Sequence, residues 1–166
     1  MTGQVSIHNA EKTLDSVLKH DQAPVPNLVV TCCEAIEKWG LDVEGIYRLS
    51  APTSAMDALR HTLLAGDMNT FSDKSMDVHA MACIVKQFFR ELPDHLIPRD
   101  HQQIFLTATK LEQDEHERRI AVHQAVNDLP DANYSTLRYL IFHLRKIELH
   151  AAKNLMTASN LAIIFG

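Results

Sequence analysis

Apolar residues along this chain of 166 residues recur mainly at intervals of three and four. This spacing collects them on one face of a helix, whereas the residues of a half-buried strand would alternate. The clearest segment runs from Asn27 to Trp39, between Pro26 and Gly40. Glycines number only five, and no convincing alternating segment occurs. We therefore predict an all-α, single-domain helical bundle with about seven or more helices.

Helix-breaking prolines and N-cap residues predict the boundaries of the other helices. Pro52 suits the first turn of a helix, Asp77 is a plausible N-cap, and Pro93 closes the helix that follows Asp77. Residues 67–76 are expected to form a polar linker. We treat residues 1–23 as an N-terminal lead with a possible short helix, and 24–166 as the domain. The predicted helices are residues 11–19, 27–39, 53–64, 78–92, 100–111, 115–128, 134–150 and 157–165.

Charge and composition exclude several classes of protein. The net charge is −5 and the 16 basic residues are scattered, whereas nucleic-acid-binding domains usually carry a basic excess. No apolar run reaches the roughly 18 residues of a membrane span, so we expect no direct membrane insertion. An odd number of cysteines without a C-x-x-C pair favours reduced thiols in a cytoplasmic protein. The histidines and acids lack metal-ligand spacing, so no metal site is predicted.

Two short segments carry candidate chemistry. Arg48 lies in a glycine-led loop between two helices, and arginine can donate two parallel hydrogen bonds to a phosphate. An arginine in a loop is more often solvated, or paired with a nearby acid such as Asp42 or Glu44. Lys86 and Arg90 lie four residues apart and share one helix face. That face is either solvated or a surface for acidic groups of a partner.

Sequence blocks that contain these residues make the pattern specific. They resemble, in the same order, the motifs of the Rho-family GTPase-activating (RhoGAP) domain, including its G-I-[FY]-R loop, its K-x-[FY]-x-R-x-L-P helix and its closing N-x-M segment. The segment from Gly40 to Gly45 resembles in particular members of the F-BAR-associated or chimaerin-like type. The matching blocks are Val25-Pro26, Gly45-Ile46-Tyr47-Arg48-Leu49-Ser50, Asp77-Val78-His79-Ala80-Met81-Ala82, Lys86-Gln87-Phe88-Phe89-Arg90-Glu91-Leu92-Pro93, Leu129-Pro130-Asp131-Ala132-Asn133, and residues 154–166.

The resemblance implies a function that is completed in another protein. Arg48 would be an arginine finger inserted in trans into the nucleotide site of a GTP-bound Rho-family small GTPase. Lys86 and Arg90 would position the loop and bind the GTPase, and Asn160 would hydrogen-bond at the same interface. Asn154 would bind there too or cap the last helix region. The domain, expected to be a monomer, would need no cofactor of its own, because the GTPase holds GTP and Mg²⁺.

Two departures from the family pattern leave alternatives open. The family usually has glycine after the loop serine, where this chain has Ala51, and alanine would be strained there if φ were positive. The chain also stops at Gly166, where family members continue, so we expect the domain to lack its C-terminal helices and the side chains of residues 163–165 to be less covered. The alternative function is a catalytically weak or inactive RhoGAP-fold module that binds GTPases or other signalling partners. An unrelated helical scaffold would require the motif matches to be coincidence.

Overall fold

The computed structural model describes residues 12–64, 76–110 and 114–166. Within these ranges the chain forms nine α-helices and no strand, which confirms the predicted all-α bundle. The helices are α1 (Leu14–Asp21), α2 (Asn27–Trp39), α3 (Thr53–Leu64), α4 (Val78–Arg90), α5 (Arg99–Thr109), α6 (Glu115–Asn127), α7 (Asp131–Leu149), α8 (Ala151–Asn154) and α9 (Ala158–Phe165).

Local sequence signals account for most of these boundaries. Helices α2 and α3 begin and end where the spacing predicts. Asp77 is the N-cap of α4, and its carboxylate accepts hydrogen bonds from the backbone N–H groups of His79 at 2.8 Å and Ala80 at 3.2 Å. Helix α8 was not predicted, because four residues are too few to show a helical period. Most of the predicted polar linker lies outside the described residues.

The core forms where α2 packs against α4. Helix α3 lies beside α4, α7 contacts both α1 and α2, and α8 and α9 pack on α7. Helices α5 and α6 pack against each other. The apolar face of α4 is directed inward as its spacing predicts, since Ile84, Val85 and Phe88 are all at most 3% exposed. This packing places Lys86 and Arg90 on a helix that is fixed along its opposite side.

The cysteines relate to the prediction of reduced thiols, and the last helix relates to the prediction of less covered side chains at residues 163–165. Cys32, Cys33 and Cys83 are all free, and burial raises the pKa of Cys33 to about 12, so that thiol is unreactive. Ile163 of α9 is 79% exposed, while Phe165 is half-buried against the core. None of the helices in the described ranges has the length and apolar character needed to cross a membrane.

Hydrogen bonds of Glu37 on α2 to His143 and Lys146 join α2 to α7. The Nδ1 of His143, a residue only 1% exposed, lies 2.9 Å from Oε1 of Glu37. The other oxygen of that carboxylate, Oε2, accepts from Lys146 Nζ at 2.5 Å. Burial lowers the pKa of His143 and outweighs the opposing effect of Glu37. Burial also acts to raise the pKa of Glu37, but the hydrogen bonds from Lys146 and His143 lower it below its ordinary value. The pair is therefore a neutral imidazole that donates Nδ1–H to an ionised carboxylate.

The N-cap of α4 can be tested by substitution. Replacing Asp77 with Ala removes both hydrogen bonds and should lower the free energy of unfolding by about 1 kcal/mol, because two N–H groups of the first turn lose their acceptor. Asp77→Asn keeps a side-chain oxygen and is the matched control. Urea denaturation measures both variants. An equal loss in the two would contradict a capping role.

The buried imidazole predicts a pH dependence of stability. The pKa of His143 is lower in the folded chain than its ordinary value of 6.5. As the pH falls below about 6.5, the unfolded chain therefore binds this proton first, and the free energy of unfolding decreases. Glu37 adds a second decrease below its ordinary pKa of 4.5, because its folded pKa is lowered.

Urea denaturation between pH 7.5 and 5.5 should show a smaller decrease for His143→Gln than for the unsubstituted chain. Replacement of the exposed His95 by Gln is the control for the loss of a histidine side chain at the surface. Coinciding slopes for His143→Gln and the unsubstituted chain would show that His143 does not titrate in this way.

Candidate functional site

The loop between α2 and α3 turns sharply at Gly45. Its φ is +68°, a left-handed value that glycine adopts without a steric penalty. A Cβ at this position would also lie 2.7 Å from Cγ of Leu49. The carbonyl of Gly45 accepts from the backbone N–H groups of Arg48 and Leu49, both at 2.8 Å. Glycine is therefore required here, both for the backbone angle and for the close return of the chain.

Tyr47 anchors the same loop in the core. It is fully buried and has a φ of +68°, which costs a residue with a side chain roughly 1–2 kcal/mol. Its ring packs edge-on against Phe165 at a centroid distance of 5.1 Å, and its hydroxyl lies 2.8 Å from Nε2 of His143. These contacts offset the backbone strain and fix the residue that precedes Arg48.

Arg48 projects from this anchored turn and is exposed. Among residues 12–64, 76–110 and 114–166, no carboxylate forms an ion pair with its guanidinium. Asp42, one of the acids that could have neutralised it, instead pairs with His150 at 2.7 Å and with Lys153 at 2.6 Å. With respect to the residues that the structure describes, the guanidinium thus keeps its donors available for another group.

Lys86 holds the loop from the side of α4. Its Nζ donates to the carbonyl oxygen of Tyr47 at 2.5 Å. An ammonium has three donors, so two remain for other acceptors. Arg90 lies one turn further along α4, is exposed, and makes no hydrogen bond within the described part of the chain. The two cations therefore differ, since Lys86 is tied to the loop and Arg90 is not.

Asn154 stabilises the loop through buried hydrogen bonds. It is fully buried, and its Nδ2 donates to the carbonyls of Leu41 at 2.7 Å and Ile147 at 2.8 Å. Its Oδ1 accepts from Met156 N at 2.8 Å, and its own carbonyl accepts from Gly45 N at 2.8 Å. Burial favours the structural interpretation of Asn154 over direct contact with a partner.

Asn160 lies next to this support and is partly exposed. Its Nδ2 donates to the carbonyl of Leu155 at 3.0 Å, and its backbone N–H donates to Oγ1 of Thr157 at 3.3 Å. Leu155 follows Asn154 directly, so hydrogen bonds and peptide bonds connect Asn160 to the loop at Gly45. Hydrogen bonds thus link the loop that carries Arg48 to Lys86, Asn154 and Asn160. Arg90 makes none of these bonds.

Ala51 does not carry the strain that a positive φ would impose. The residues with positive φ among those described are Gln22, Gly45, Tyr47 and Leu155, so the left-handed positions of this loop precede Ala51. Ala51 is half-buried and packs against the core. The departure from the family pattern at this position therefore leaves the loop unstrained at Ala51.

Three side chains that contact Tyr47, directly or through His143, were not singled out from the sequence. They are His143, Glu37 and Phe165. The first could have been suspected, because His143 falls on the apolar stripe of α7 beside Leu140, Leu144 and Ile147. Its partners are distant in sequence, since Glu37 lies on α2, and no spacing rule reveals them.

The candidate site is a group of cationic side chains. Arg48, Lys86 and Arg90 all donate hydrogen bonds and none can accept one, so the site suits phosphate or carboxylate oxygens. In the described part of the chain, no group of three or more metal-ligating His, Cys, Asp or Glu side chains occurs.

The sequence matches the model of the RhoGAP domain family over residues 26–166. It is 44% identical over 158 residues to "Probable Rho-GTPase-activating protein 7" of Schizosaccharomyces pombe, a match that covers 92% of this chain and 22% of that protein. It is 38% identical over 154 residues to "Rho GTPase-activating protein 27" of Mus musculus, covering 92% of this chain and 18% of the relative. The chain thus spans about a fifth of the length of these curated relatives.

Solved structures show the same fold. The crystal structure of human Rho GTPase activating protein 15 superposes with a TM-score of 0.84 at 38% identity, covering 92% of this chain and 72% of that one. The BH domain from GRAF, the GTPase regulator associated with focal adhesion kinase, gives a TM-score of 0.78 at 29% identity, covering 92% of this chain and 79% of that one. The family match, the relatives and the fold agree with the order of the sequence motifs, and the chain belongs to the RhoGAP domain family.

Proposed function

We propose that this chain accelerates GTP hydrolysis by Rho-family small GTPases, with Arg48 as an arginine finger supplied in trans. One observation carries the proposal. The guanidinium of Arg48 is exposed and has no ion pair within the described chain, and the backbone of its loop is held by hydrogen bonds both before and after Arg48. The names of the relatives support the same activity.

The mechanism assigns the hydrolytic machinery to the partner. The GTPase holds GTP and Mg²⁺ and orients the attacking water with its own glutamine, so this domain supplies no cofactor. Negative charge develops on the transferring phosphoryl group and on the leaving oxygen in the transition state. Docking expels water from the site, which strengthens the interaction of Arg48 with that charge.

Lys86 and Arg90 would share the docking of the GTPase in unequal roles. Lys86 donates to the carbonyl of Tyr47 and so links α4 to the loop of residues 45–50 that carries Arg48. Arg90 has no such link and would contribute binding alone. Asn160 would bind the GTPase at the same interface through the amide groups that its bond to Leu155 leaves available. Since Asn154 is buried, it would act by supporting Gly45.

The alternative is a module that binds GTPases without accelerating hydrolysis. The main argument for this alternative in the loop was backbone strain at Ala51. Because Ala51 is not among the residues with positive φ, that argument no longer applies. The two functions differ in one measurable quantity, the rate of hydrolysis once the GTPase is saturated with this chain.

Arg48→Ala should lower the saturating single-turnover rate of GTP hydrolysis by about 10³–10⁵, the range found for arginine fingers. Affinity for the GTP-bound partner should change little, because the finger acts mainly in the transition state. A panel of purified Rho-family GTPases loaded with GTP serves for both measurements. Arg48→Lys is the matched control, and it should also lose most of the rate because lysine lacks the planar fork. Full activity of Arg48→Ala would reject the finger, and binding without any acceleration by the unsubstituted chain would establish the docking module.

Lys86→Met and Arg90→Met should separate loop positioning from docking. Arg90→Met should raise the GTPase concentration for half-maximal rate by about tenfold, through loss of charge-assisted hydrogen bonds, while the saturating rate stays unchanged. Lys86→Met should raise that concentration and also lower the saturating rate, because the carbonyl of Tyr47 loses its donor. The same single-turnover assay, run over a range of GTPase concentrations, measures both quantities. Identical kinetic profiles for the two variants would contradict the division of roles.

A further inference from the structure

A connected row of polar groups runs from the exposed Lys146 on α7, through Glu37 and His143, to the buried Tyr47 of the loop that carries Arg48. Lys146 Nζ donates to Oε2 of Glu37, and Oε1 of Glu37 lies 2.9 Å from His143 Nδ1. His143 Nε2 in turn lies 2.8 Å from the hydroxyl of Tyr47. Tyr47 and His143 are at most 1% exposed, so water does not substitute for the contact between these two residues.

The donors along this row have one consistent assignment. An ionised carboxylate only accepts hydrogen bonds, so His143 must carry its proton on Nδ1 and donate to Glu37. Nε2 is then an acceptor, and Tyr47 donates its hydroxyl proton to it. Cys33 Sγ lies 4.0 Å from the same hydroxyl and is at most a weak partner. The imidazole is thus the acceptor that satisfies the buried hydroxyl of Tyr47.

Tyr47 is also where the loop is most strained. Its left-handed backbone is held by three contacts in different directions: the hydroxyl to His143, the ring to Phe165 and the carbonyl to Lys86. Relaxation of Tyr47 to the usual backbone region would rotate the peptide that leads into Arg48. The direction in which the guanidinium leaves the loop is therefore coupled to the hydroxyl contact.

We propose that Glu37 and His143 act as positioning residues for Arg48, by holding the hydroxyl of Tyr47 and with it the left-handed conformation of the loop. The inference rests on the proposed function of Arg48 as the finger. It assigns no contact with GTP or with the GTPase to Glu37, His143 or Tyr47. Their effect is on the fraction of molecules in which the finger is correctly directed.

The test begins with Tyr47→Phe, which keeps the ring packing and removes only the hydroxyl. The saturating rate of GTP hydrolysis should fall about fivefold, as expected when one hydrogen bond no longer favours the active conformation. The GTPase concentration for half-maximal rate should stay the same, because no docking group is changed. Amide hydrogen exchange at Arg48 and Leu49, whose N–H groups bond to Gly45, should accelerate.

Ala125→Gly is the matched control for general destabilisation. Ala125 is buried on α6, which packs against α5 and carries no part of the loop, and glycine in a helix costs stability comparable to one hydrogen bond. This variant should leave both the saturating rate and the exchange at Arg48 and Leu49 unchanged. If Tyr47→Phe behaves like Ala125→Gly in both measurements, the positioning role is rejected.

A double substitution tests whether Tyr47 and His143 act as one unit. His143→Gln alone should lower the saturating rate at least as much as Tyr47→Phe, because glutamine cannot bridge both neighbours. The double variant should then be no slower than His143→Gln, since the row is already broken. Multiplicative losses would show that the two residues act independently and would overturn the proposal.

The two hypotheses fail in different ways. If the unsubstituted chain accelerates hydrolysis and Tyr47→Phe matches it, the positioning role fails and the finger stands. If the unsubstituted chain accelerates none of the GTPases, the proposed function fails. Hydrogen exchange at Arg48 and Leu49 then still decides whether Glu37 and His143 hold the loop, since it needs no GTPase.

Discussion

The side-chain amide of Asn154 is the contact on which the arrangement of this domain most depends. It bonds the end of α7 through Ile147, the start of the finger loop through Leu41, and the segment leading into α9 through Met156. The carbonyl of the same residue holds Gly45. Because the residue is fully buried, the carbonyl of Leu41 and the N–H of Met156 would lack a partner without its side chain. The loop at Leu41 and Gly45 is thereby joined to a segment more than a hundred residues later in the chain.

The loop that carries Arg48 combines a backbone held by hydrogen bonds with the exposed side chain of Arg48. Gly45 and Tyr47 both have left-handed angles, and both are buried and bonded to neighbouring elements. Arg48, directly after them, is exposed. This arrangement lowers the entropic cost of any binding by Arg48, because little conformational freedom of the backbone remains to be lost.

The helices could be predicted from the sequence far better than the site could. The apolar period of α2 and the N-cap at Asp77 are local signals, and both gave correct boundaries. Helix α8 was missed because its four residues span barely one turn and cannot show a repeating pattern. The family motifs pointed to Arg48 and Lys86, but the bond between Lys86 and the loop joins residues 39 positions apart and leaves no local signal. The same holds for the contact of His143 with Tyr47. At Ala51 the pattern suggested strain, and only the backbone angles could show that the left-handed positions lie elsewhere.

The left-handed conformation of Tyr47 has a consequence for peptide mimicry. All three contacts that hold this residue come from outside the loop, from α4, α7 and α9. A synthetic hexapeptide with the sequence of residues 45–50 would keep Gly45 but none of these contacts, and its tyrosine would return to the ordinary backbone region. A mimic of this loop must therefore build in the turn chemically, for example with a D-amino acid at the position of Tyr47 or with a cyclised backbone.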